Sequence, residues 1–257
     1  MKISIIGAGN MGGAIARGLA SGHSIDAKDI YVSNPSNAKL EKLKAEYPEI
    51  NTTNCNEEIV ELADIVILAV KPWKIKEVIE TMNLKKNQTL ISVAAGIPID
   101  ELAKCASLEM AIFRVIPNTA ISEKASMTLI AGRNACSQQT EQVMNIFNEM
   151  GLAIMIDENL LAAGTSLTSC GIAYVMKYVE AGMLAGTELG IRPADSMKML
   201  AQTLEGAAKL LLKDENTRPA LEIEKVTTPG GLTIKGVNQL EKDGFTKAII
   251  NAMKASL

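Results

Sequence analysis

The feature that most constrains this chain is a glycine cluster that directly follows an apolar run at residues 3–6. Residues 7–12 read G-A-G-N-M-G, and apolar residues then recur at helical spacing. In a strand–turn–helix unit such glycines permit a tight turn, admit a pyrophosphate to the backbone and let the helix pack on the strand. The helix N-terminus adds N–H donors and a positive dipole end. The motif predicts a dinucleotide site at Gly7, Ala8, Gly9, Asn10, Met11 and Gly12.

The segment after the second apolar run, residues 30–33, bears on which dinucleotide is bound. A site for NAD usually carries Asp or Glu about 20 residues past the glycines, where it bonds the ribose 2′-hydroxyl. Here the sequence continues Asn34-Pro35-Ser36-Asn37, without an acid that would repel a 2′-phosphate. Asn34 and Ser36, with Lys39 as a further candidate, would donate hydrogen bonds to that phosphate, although the usual Arg is missing. NADPH is therefore the predicted cofactor, with NADH as the alternative.

The periodicity of the chain changes after Asp157. Before it, apolar runs alternate with helical spacing, and the runs cover residues 3–6, 30–33, 65–70, 89–94, 110–115, 127–131 and 153–156. After it, strand signals almost vanish and Ala, Leu, Met and Gly dominate. We predict an α/β protein with a doubly wound, mainly parallel, Rossmann-type sheet at residues 1–157 and an all-helical domain at residues 158–257.

Composition excludes several functional classes. The net charge is −3 and no Lys/Arg-rich run is present, which argues against nucleic acid or an anionic membrane as a partner. Four cysteines without a C-x-x-C pair and one histidine argue against a metal site. The first apolar run is too short for a signal-peptide core, and the charge-free stretch 159–176 is too polar to span a membrane. We expect a cytoplasmic protein.

The single histidine limits the chemistry. His23 lies in a loop before the second strand, at the sheet edge opposite the carboxyl ends of the strands where ligands bind. Histidine is therefore not the proton-transfer residue of this chain. Reduction of an imine needs little acid catalysis, because a protonated C=N bond already carries positive charge. The protein then mainly orients the imine against the nicotinamide.

A second glycine segment lies near the C-terminus, where residues 226–234 read V-T-T-P-G-G-L-T-I. A helix beginning there would leave the N–H groups of Gly231, Leu232 and Thr233 free and pointing at one spot. That arrangement suits a carboxylate-sized anion. The alternative is an ordinary Pro-Gly turn with a helix cap, and the residues alone leave both interpretations open.

Longer segments carry a resemblance to a known family. Residues 227–252, T-T-P-G-G-L-T-I-K-G-V-N-Q-L-E-K-D-G-F-T-K-A-I-I-N-A, resemble the C-terminal signature of pyrroline-5-carboxylate reductases. Further segments agree in order at residues 7–12, 69–72, 94–97, 114–119 and 171–175, so the resemblance covers essentially the whole chain. It implies reduction of 1-pyrroline-5-carboxylate to L-proline with NAD(P)H, the last step of proline biosynthesis. It also implies a homodimer built by the helical domain, with a ring of dimers as a larger assembly.

The resemblance implies roles for individual residues. On the substrate side, the backbone of residues 230–233 would hold the carboxylate and the Thr233 hydroxyl would be the catalytic donor near the ring nitrogen. The substrate-binding set is Thr228, Gly230, Gly231, Leu232, Thr233 and Asn118. On the cofactor side, the resemblance adds Asn56, Ala69, Val70, Lys71, Pro72, Ala95, Gly96 and Pro117 to the glycine loop.

Two departures from the family pattern keep other functions open. Leu232 stands where the family has Thr or Ala, and residues 168–174 read T-S-C-G-I-A-Y where the family reads S-G-S-G-P-A-Y. The first alternative is a related cyclic-imine or keto-acid reductase with a reshaped pocket. The second is a non-catalytic NADPH-binding regulatory protein.

Overall fold

The structure is a computed structural model that describes all residues from 1 to 257, and the chain divides into two compact units, Met1–Ser169 and Cys170–Leu257. The first unit contains eight strands: β1 Ile3–Ile6, β2 Ile30–Ser33, β3 Asn51–Thr53, β4 Ile65–Leu68, β5 Thr89–Ser92, β6 Ala111–Ile116, β7 Ser126–Arg133 and β8 Gly151–Met155. Its helices are α1 Asn10–Ala20, α2 Asn37–Glu46, α3 Asn56–Val60, α4 Ile75–Thr81, α5 Ile99–Cys105, α6 Ser137–Asn148 and α7 Leu161–Thr165.

The eight strands form one sheet in the order β3-β2-β1-β4-β5-β6-β7-β8. The strands from β3 to β6 are parallel, β7 runs antiparallel to β6, and β8 is parallel to β7. The predicted α/β fold with a mainly parallel sheet is confirmed. Because the chain moves from β1 to β2 on one side and later to β4 on the other, a crevice opens beyond the carboxyl end of β1. Ligands bind at such a switch point.

The core explains why the strands read as continuous apolar runs. Ile3 and Ile5 of β1 pack with Ile15 of α1 in one buried cluster, whereas Ile6 packs with Val66 of β4 in a second cluster. Residues of one strand thus enter both clusters, as expected for a parallel sheet covered on both faces. Because the strands are buried, the polar residues of the connecting loops lie at the two ends of the strands.

The apolar runs predicted seven strands and missed β3. Its sequence is Asn-Thr-Thr, and all three residues are only partly buried. It is the edge strand beside β2, where one side of the ladder has no partner. A short polar edge strand buries no apolar side chain, so hydrophobic periodicity cannot reveal it.

The second unit consists of helices only, which confirms the predicted helical C-terminal part. They are α8 Gly171–Glu188, α9 Pro193–Leu212, α10 Pro219–Val226, α11 Leu232–Lys242 and α12 Phe245–Lys254. Few of their residues are buried, and large apolar side chains such as Leu184, with 66% exposure, face outward. No helix of the protein is both long and apolar enough to cross a bilayer.

The prediction placed residues 158–169 in the helical domain, whereas the division into compact units places them with the sheet. Leu161 in this segment is 1% exposed and belongs to a core cluster of the sheet. A Cβ added to Gly164 would stand 2.4 Å from Cδ1 of Leu129 on β7, so α7 lies directly against that strand. The segment is therefore described with the first unit, and the boundary after Asp157 stays a prediction.

Candidate functional site

The loop between β1 and α1 requires glycine at its first and last positions. Gly7 has φ +104°, a conformation that side chains with a Cβ rarely adopt, and an added Cβ would stand 2.7 Å from the carbonyl oxygen of Ala69. At Gly12 an added Cβ would stand 1.9 Å from the carbonyl oxygen of Gly7. The helix therefore touches the preceding turn, as the motif predicted.

Gly9 is different, because nothing lies within 4 Å of the position of an added Cβ. It is the N-cap of α1, has extended backbone, and makes no side-chain cap. The first N–H groups of a helix lack intrahelical partners, so they are available to an anion. Open space in front of free donors is the cradle that a pyrophosphate requires, and a nicotinamide dinucleotide fits these residues.

A cleft of about 640 Å³ opens at this loop. Of the residues predicted to bind cofactor, it brings together Gly7, Gly9, Asn10, Met11, Asn34, Asn56, Ala69, Val70 and Lys71. These residues follow the carboxyl ends of β1, β2 and β4 or stand at the starts of α1 and α3. The cleft therefore lies at the switch point of the sheet.

Seven other predicted cofactor residues do not line this cleft: Ala8, Gly12, Ser36, Pro72, Ala95, Gly96 and Pro117. Ala8 and Gly12 are buried in the glycine turn and support it from inside. Pro117 is also buried, whereas Ala95 and Gly96 form an exposed turn after β5. Val93, which precedes that turn, does line the cleft.

One face of the cleft was missed by the sequence analysis. Lys74, Glu77, Val78 and Thr81 line it from α4 and the turn before it. Their spacing of i, i+3, i+4 and i+7 is that of one helix face. This spacing after Lys71-Pro72 is visible in the sequence. The sequence does not show, however, that this helix face lies beside the cleft.

Lysines dominate the charge around the cleft. Lys39, Lys71 and Lys74 line it, against the single carboxylate of Glu77. The Nζ atom of Lys71 also lies 5.9 Å from the ring centre of Trp73, which is 75% exposed. An excess of positive charge beside free helix N–H groups favours a ligand with several phosphates.

Asn34 connects two loops of the cleft. Its Oδ1 accepts a hydrogen bond from the backbone N–H of Ala8 at 3.1 Å, and its Nδ2 donates to the carbonyl oxygen of Ser36 at 3.0 Å. Close by, the Ser33 hydroxyl donates to Oδ1 of Asn56 at 2.6 Å. The side chain of Asn34 is thus engaged within the protein, while Ser36 is exposed.

Asn118, predicted to bind substrate, is also held by the protein. Its Oδ1 accepts from the backbone N–H of Ala120 at 3.0 Å and its Nδ2 donates to the carbonyl oxygen of Thr168 at 3.1 Å. The residue is 6% exposed. These contacts show that Asn118 fixes the turn after β6. Its predicted role in binding substrate stays a prediction.

The second glycine segment, described on its own unit, forms a tight turn before α11. Gly230 has φ +75°, and the N–H of Gly231 donates to the carbonyl oxygen of Thr228 at 2.9 Å. The expectation that the Gly231 N–H is free was therefore wrong, because closing this turn uses it. Leu232 and Thr233 occupy the first two positions of α11, where N–H groups have no intrahelical acceptor, and both are exposed.

Comparisons with known proteins agree with this geometry. A family model described as pyrroline-5-carboxylate reductase dimerisation matches residues 158–257, and one described as NADP oxidoreductase, coenzyme F420-dependent, matches residues 2–96. The pyrroline-5-carboxylate reductase of Escherichia coli K12 is 34% identical over 98% of this chain and 94% of its own length. Pyrroline-5-carboxylate reductase 1 of Dictyostelium discoideum is 33% identical over 99% of this chain, which spans 48% of that longer protein.

Solved structures give the same assignment. A pyrroline-5-carboxylate reductase from Coxiella burnetii is 30% identical, with a TM-score of 0.90 over 99% of this chain and 95% of its own. The Plasmodium falciparum pyrroline carboxylate reductase with NADP bound is 28% identical, with a TM-score of 0.85 over 100% of this chain and 95% of its own. Together with the glycine cleft and the helical unit, these similarities show that the chain belongs to the pyrroline-5-carboxylate reductase family of oxidoreductases.

Proposed function

We propose that this chain reduces 1-pyrroline-5-carboxylate to L-proline, with NADPH as the preferred hydride donor. The observation that carries the proposal is the open space at Gly9 in the glycine cleft. The same chain also has N–H groups without an intrahelical acceptor at Leu232 and Thr233, the first two residues of α11. One region suits a dinucleotide and the other suits a small carboxylate. The relatives that match over nearly the full chain are named pyrroline-5-carboxylate reductase.

Each group then has a defined task. The glycine loop at Gly7–Gly12 would hold the dinucleotide, which when bound would supply a hydride for the carbon of the C=N bond. The N–H groups of Leu232 and Thr233 bind the substrate carboxylate, and the turn at Gly230 and Gly231 presents them. The hydroxyl of Thr233 donates a hydrogen bond to the lone pair of the neutral ring nitrogen, which takes up a proton as the carbon takes the hydride and so ends the reaction as an amine. Such positioning is the main protein contribution to the reduction of an imine, which accepts hydride readily as its nitrogen becomes protonated.

The preference for NADPH is supported by charge. No acidic residue occurs among residues 34–40, which follow β2, and Lys39 and Lys74 line the cleft. A 2′-phosphate would gain from these cations, whereas a 2′-hydroxyl would not. The similar Plasmodium structure is described with NADP bound. NADH remains the alternative donor, and the ratio of activities decides between them.

Self-association is part of the proposal. The helices of the second unit leave large apolar side chains exposed, and a groove of about 700 Å³ between α8 and α9 is lined mainly by apolar residues. The family model over residues 158–257 is one of dimerisation. A homodimer covers this surface, and a ring of dimers is the larger assembly that we propose. A cytoplasmic location suits the four free thiols.

A second candidate function follows from Leu232. This side chain is 86% exposed at the first position of α11, directly beside the proposed carboxylate donors. A bulky residue there would reshape the pocket while leaving the backbone donors intact. A different cyclic imine or a 2-oxo acid is then the substrate.

The test is oxidation of NADPH and NADH with 1-pyrroline-5-carboxylate, together with a direct assay for proline. Proline formation with a higher kcat/KM for NADPH is the expected result. Turnover only with other cyclic imines or 2-oxo acids in a panel would favour the second candidate. Tight NADPH binding without turnover of any panel member would contradict both and favour a regulatory protein.

A further inference from the structure

Glu158 does not line the cleft, but it accepts a hydrogen bond from the residue that follows the loop 93–98, and Val93 of that loop lines the cleft. The residue follows β8 and begins a short 3₁₀ helix, Glu158–Leu160. Its Oε1 accepts a hydrogen bond from the backbone N–H of Ile99 at 2.7 Å and lies 3.2 Å from Nη1 of Arg114. One carboxylate oxygen thus joins the start of α5 to a charged residue of β6.

Ile99 is the first residue of α5, and this helix has no cap of its own. Its N-cap is Pro98, which has no side-chain acceptor, and no side-chain cap is formed. Glu158 supplies the missing acceptor from 59 residues away in the chain. Its negative charge is also favourable at a helix N-terminus. The end of the loop 93–98 is therefore fixed by Glu158 rather than by local sequence.

The other end of that loop belongs to the dinucleotide cleft. Val93 lines the cleft, and its N–H donates to the carbonyl oxygen of Leu68 at 3.1 Å, which ties it to β4. Between the two anchors, Ala95 and Gly96 form an exposed turn in which Gly96 has φ +80°. The position of this turn depends on its anchors, because an exposed turn has few packing contacts to hold it.

Arg114 explains why Glu158 is held in this position. The side chain of Arg114 is 15% exposed, and in the sheet the residue lies beside Ser92, the last residue of β5. A charge so poorly hydrated needs a counter-ion. The Nε atom of Arg114 has no hydrogen-bond partner in the protein. The carboxylate of Glu158, which pairs with Nη1, balances the guanidinium charge.

We propose that Glu158 is a positioning residue for the dinucleotide cleft: through the N–H of Ile99 it fixes the far end of the loop 93–98, whose near end, Val93, lines the cleft. This inference rests on the proposed function, in which the cleft holds the dinucleotide that supplies the hydride. Small displacements of groups that orient reactants are expensive in rate, even far from the chemistry.

Two substitutions separate the reach of the side chain from its charge. Glu158→Gln keeps an oxygen at the same distance for the Ile99 N–H but removes the charge that faces Arg114. Glu158→Asp keeps the charge but withdraws the carboxylate by about 1.5 Å, the length of one C–C bond. Both variants keep a polar side chain opposite Arg114, so both are expected to fold. Glu109→Gln is the control, because Glu109 pairs with Lys86 on the surface.

The measurements are kcat with 1-pyrroline-5-carboxylate, the melting temperature, and amide hydrogen exchange of Ala95, Gly96, Ile97 and Ile99. For Glu158→Asp we expect kcat to fall about 3-fold to 10-fold, within the range that misplacement produces, and exchange to accelerate. For Glu158→Gln we expect a lower melting temperature, because Arg114 loses its counter-ion, but kcat within about twofold of the parent and unchanged exchange. For Glu109→Gln we expect kcat within about twofold of the parent, with melting temperature and exchange unchanged.

Three results would overturn the inference: unchanged kcat or unchanged exchange in Glu158→Asp, equal losses in both Glu158 variants, or a larger loss in Glu158→Gln. The last pattern would show that the ion pair with Arg114 stabilises the fold and does nothing more. A parent protein without turnover contradicts the proposed function instead, and the exchange data then still decide whether Glu158 holds the turn.

Discussion

Asn34 Oδ1 accepts a hydrogen bond from the backbone N–H of Ala8 at 3.1 Å, so the residue after β2 holds the glycine loop after β1. The bond joins the two segments that the sequence analysis treated separately, one for pyrophosphate and one for the ribose. It also places an uncharged side chain where sites for NAD usually carry an acid. Asn34 therefore holds the glycine loop, and we predict that it also sets the choice of cofactor.

Replacing Asn34 by Asp should shift the cofactor preference toward NADH. The carboxylate keeps an acceptor for the Ala8 N–H but brings a negative charge to the position where we propose that the 2′-phosphate binds. Repulsion between close charges at a protein surface costs about 1–4 kcal/mol. We expect kcat/KM for NADPH to fall at least about 10-fold and that for NADH to change less than about threefold. Steady-state kinetics with both cofactors measure this.

Asn145→Asp adds the same charge on an exposed part of α6 and serves as the control. It should leave both cofactor constants unchanged. Equal losses with NADPH and NADH in Asn34→Asp would mean that the mutation only disturbs the glycine loop, and the assignment of Asn34 to the 2′-position would then be abandoned.

Gly9 and Gly12 should respond in opposite ways to a larger side chain. At Gly9 the space is open, so Gly9→Val should leave the melting temperature within a few degrees of the parent but abolish NADPH binding. At Gly12 even Gly12→Ala forces a Cβ against the carbonyl oxygen of Gly7 and should lower stability strongly. Thermal unfolding and NADPH titration of both variants test the pair. NADPH binding retained by Gly9→Val would refute the pyrophosphate assignment.

The contrast between these glycines shows what the sequence could and could not predict. The motif itself predicted both the tight turn at Gly7 and the helix contact at Gly12, since those roles follow from spacing after an apolar strand. Hydrogen bonds formed across the fold were not predictable in this way. The Ala8–Asn34 bond and the use of the Gly231 N–H within its own turn depend on backbone geometry that the residue types do not specify.

Strands and helices also differed in how far the sequence predicted them. Strands buried on both faces, such as β1 and β4, were visible as apolar runs, whereas β3 was not, because its three polar residues bury little. Lys74 and Thr81 lie on a helix face whose spacing is present in the sequence, but only the position of α4 beside the cleft gives that face a function. Side-chain pattern reveals burial better than it reveals which loop a helix approaches.

Thr233 should be needed for the chemical step. Thr233→Ala removes the hydroxyl proposed to donate to the ring nitrogen but leaves the backbone N–H groups of α11 in place. We expect kcat to fall roughly 10-fold to 10²-fold, at or below the usual effect of a positioned proton donor. Thr233→Ser, which keeps the hydroxyl, should retain most activity. An unchanged kcat in Thr233→Ala, measured at saturating substrate, would show that the hydroxyl is not the donor.

Leu184 should be needed for self-association. It lines the groove between α8 and α9 and is 66% exposed in the single chain. Leu184→Glu would place a charge in a dry interface, where an unpaired charge is costly, so we expect a monomer by light scattering at micromolar concentration. Leu108→Glu alters a similarly exposed leucine, 62% exposed, after α5 and should leave the assembly intact. A dimer in both variants would place the interface elsewhere.

Glu149 should make the stability of the first unit depend on pH. Its Oε1 accepts from the backbone N–H groups of His23 and Ser24 at 2.9 and 2.6 Å and from the Ser24 hydroxyl at 2.7 Å. Burial raises the pKa of this carboxyl, but the hydrogen bonds from Ser24 and His23 outweigh it and hold the pKa below its ordinary value of 4.5. Because the folded-state pKa is the lower one, the stabilisation is complete above pH 4.5 and is lost as the pH falls through the folded-state value.

Glu149→Gln should therefore lower the free energy of unfolding by about 1–3 kcal/mol at pH 7, the usual value for hydrogen bonds to a charged group. The difference from the parent should shrink as the pH falls below 4.5. Denaturant unfolding of both proteins between pH 7 and pH 3 measures it, with Glu141→Gln on the exposed side of α6 as the control. A difference that stays constant over this range would mean that the Glu149 carboxylate charge does not hold the loop that contains His23.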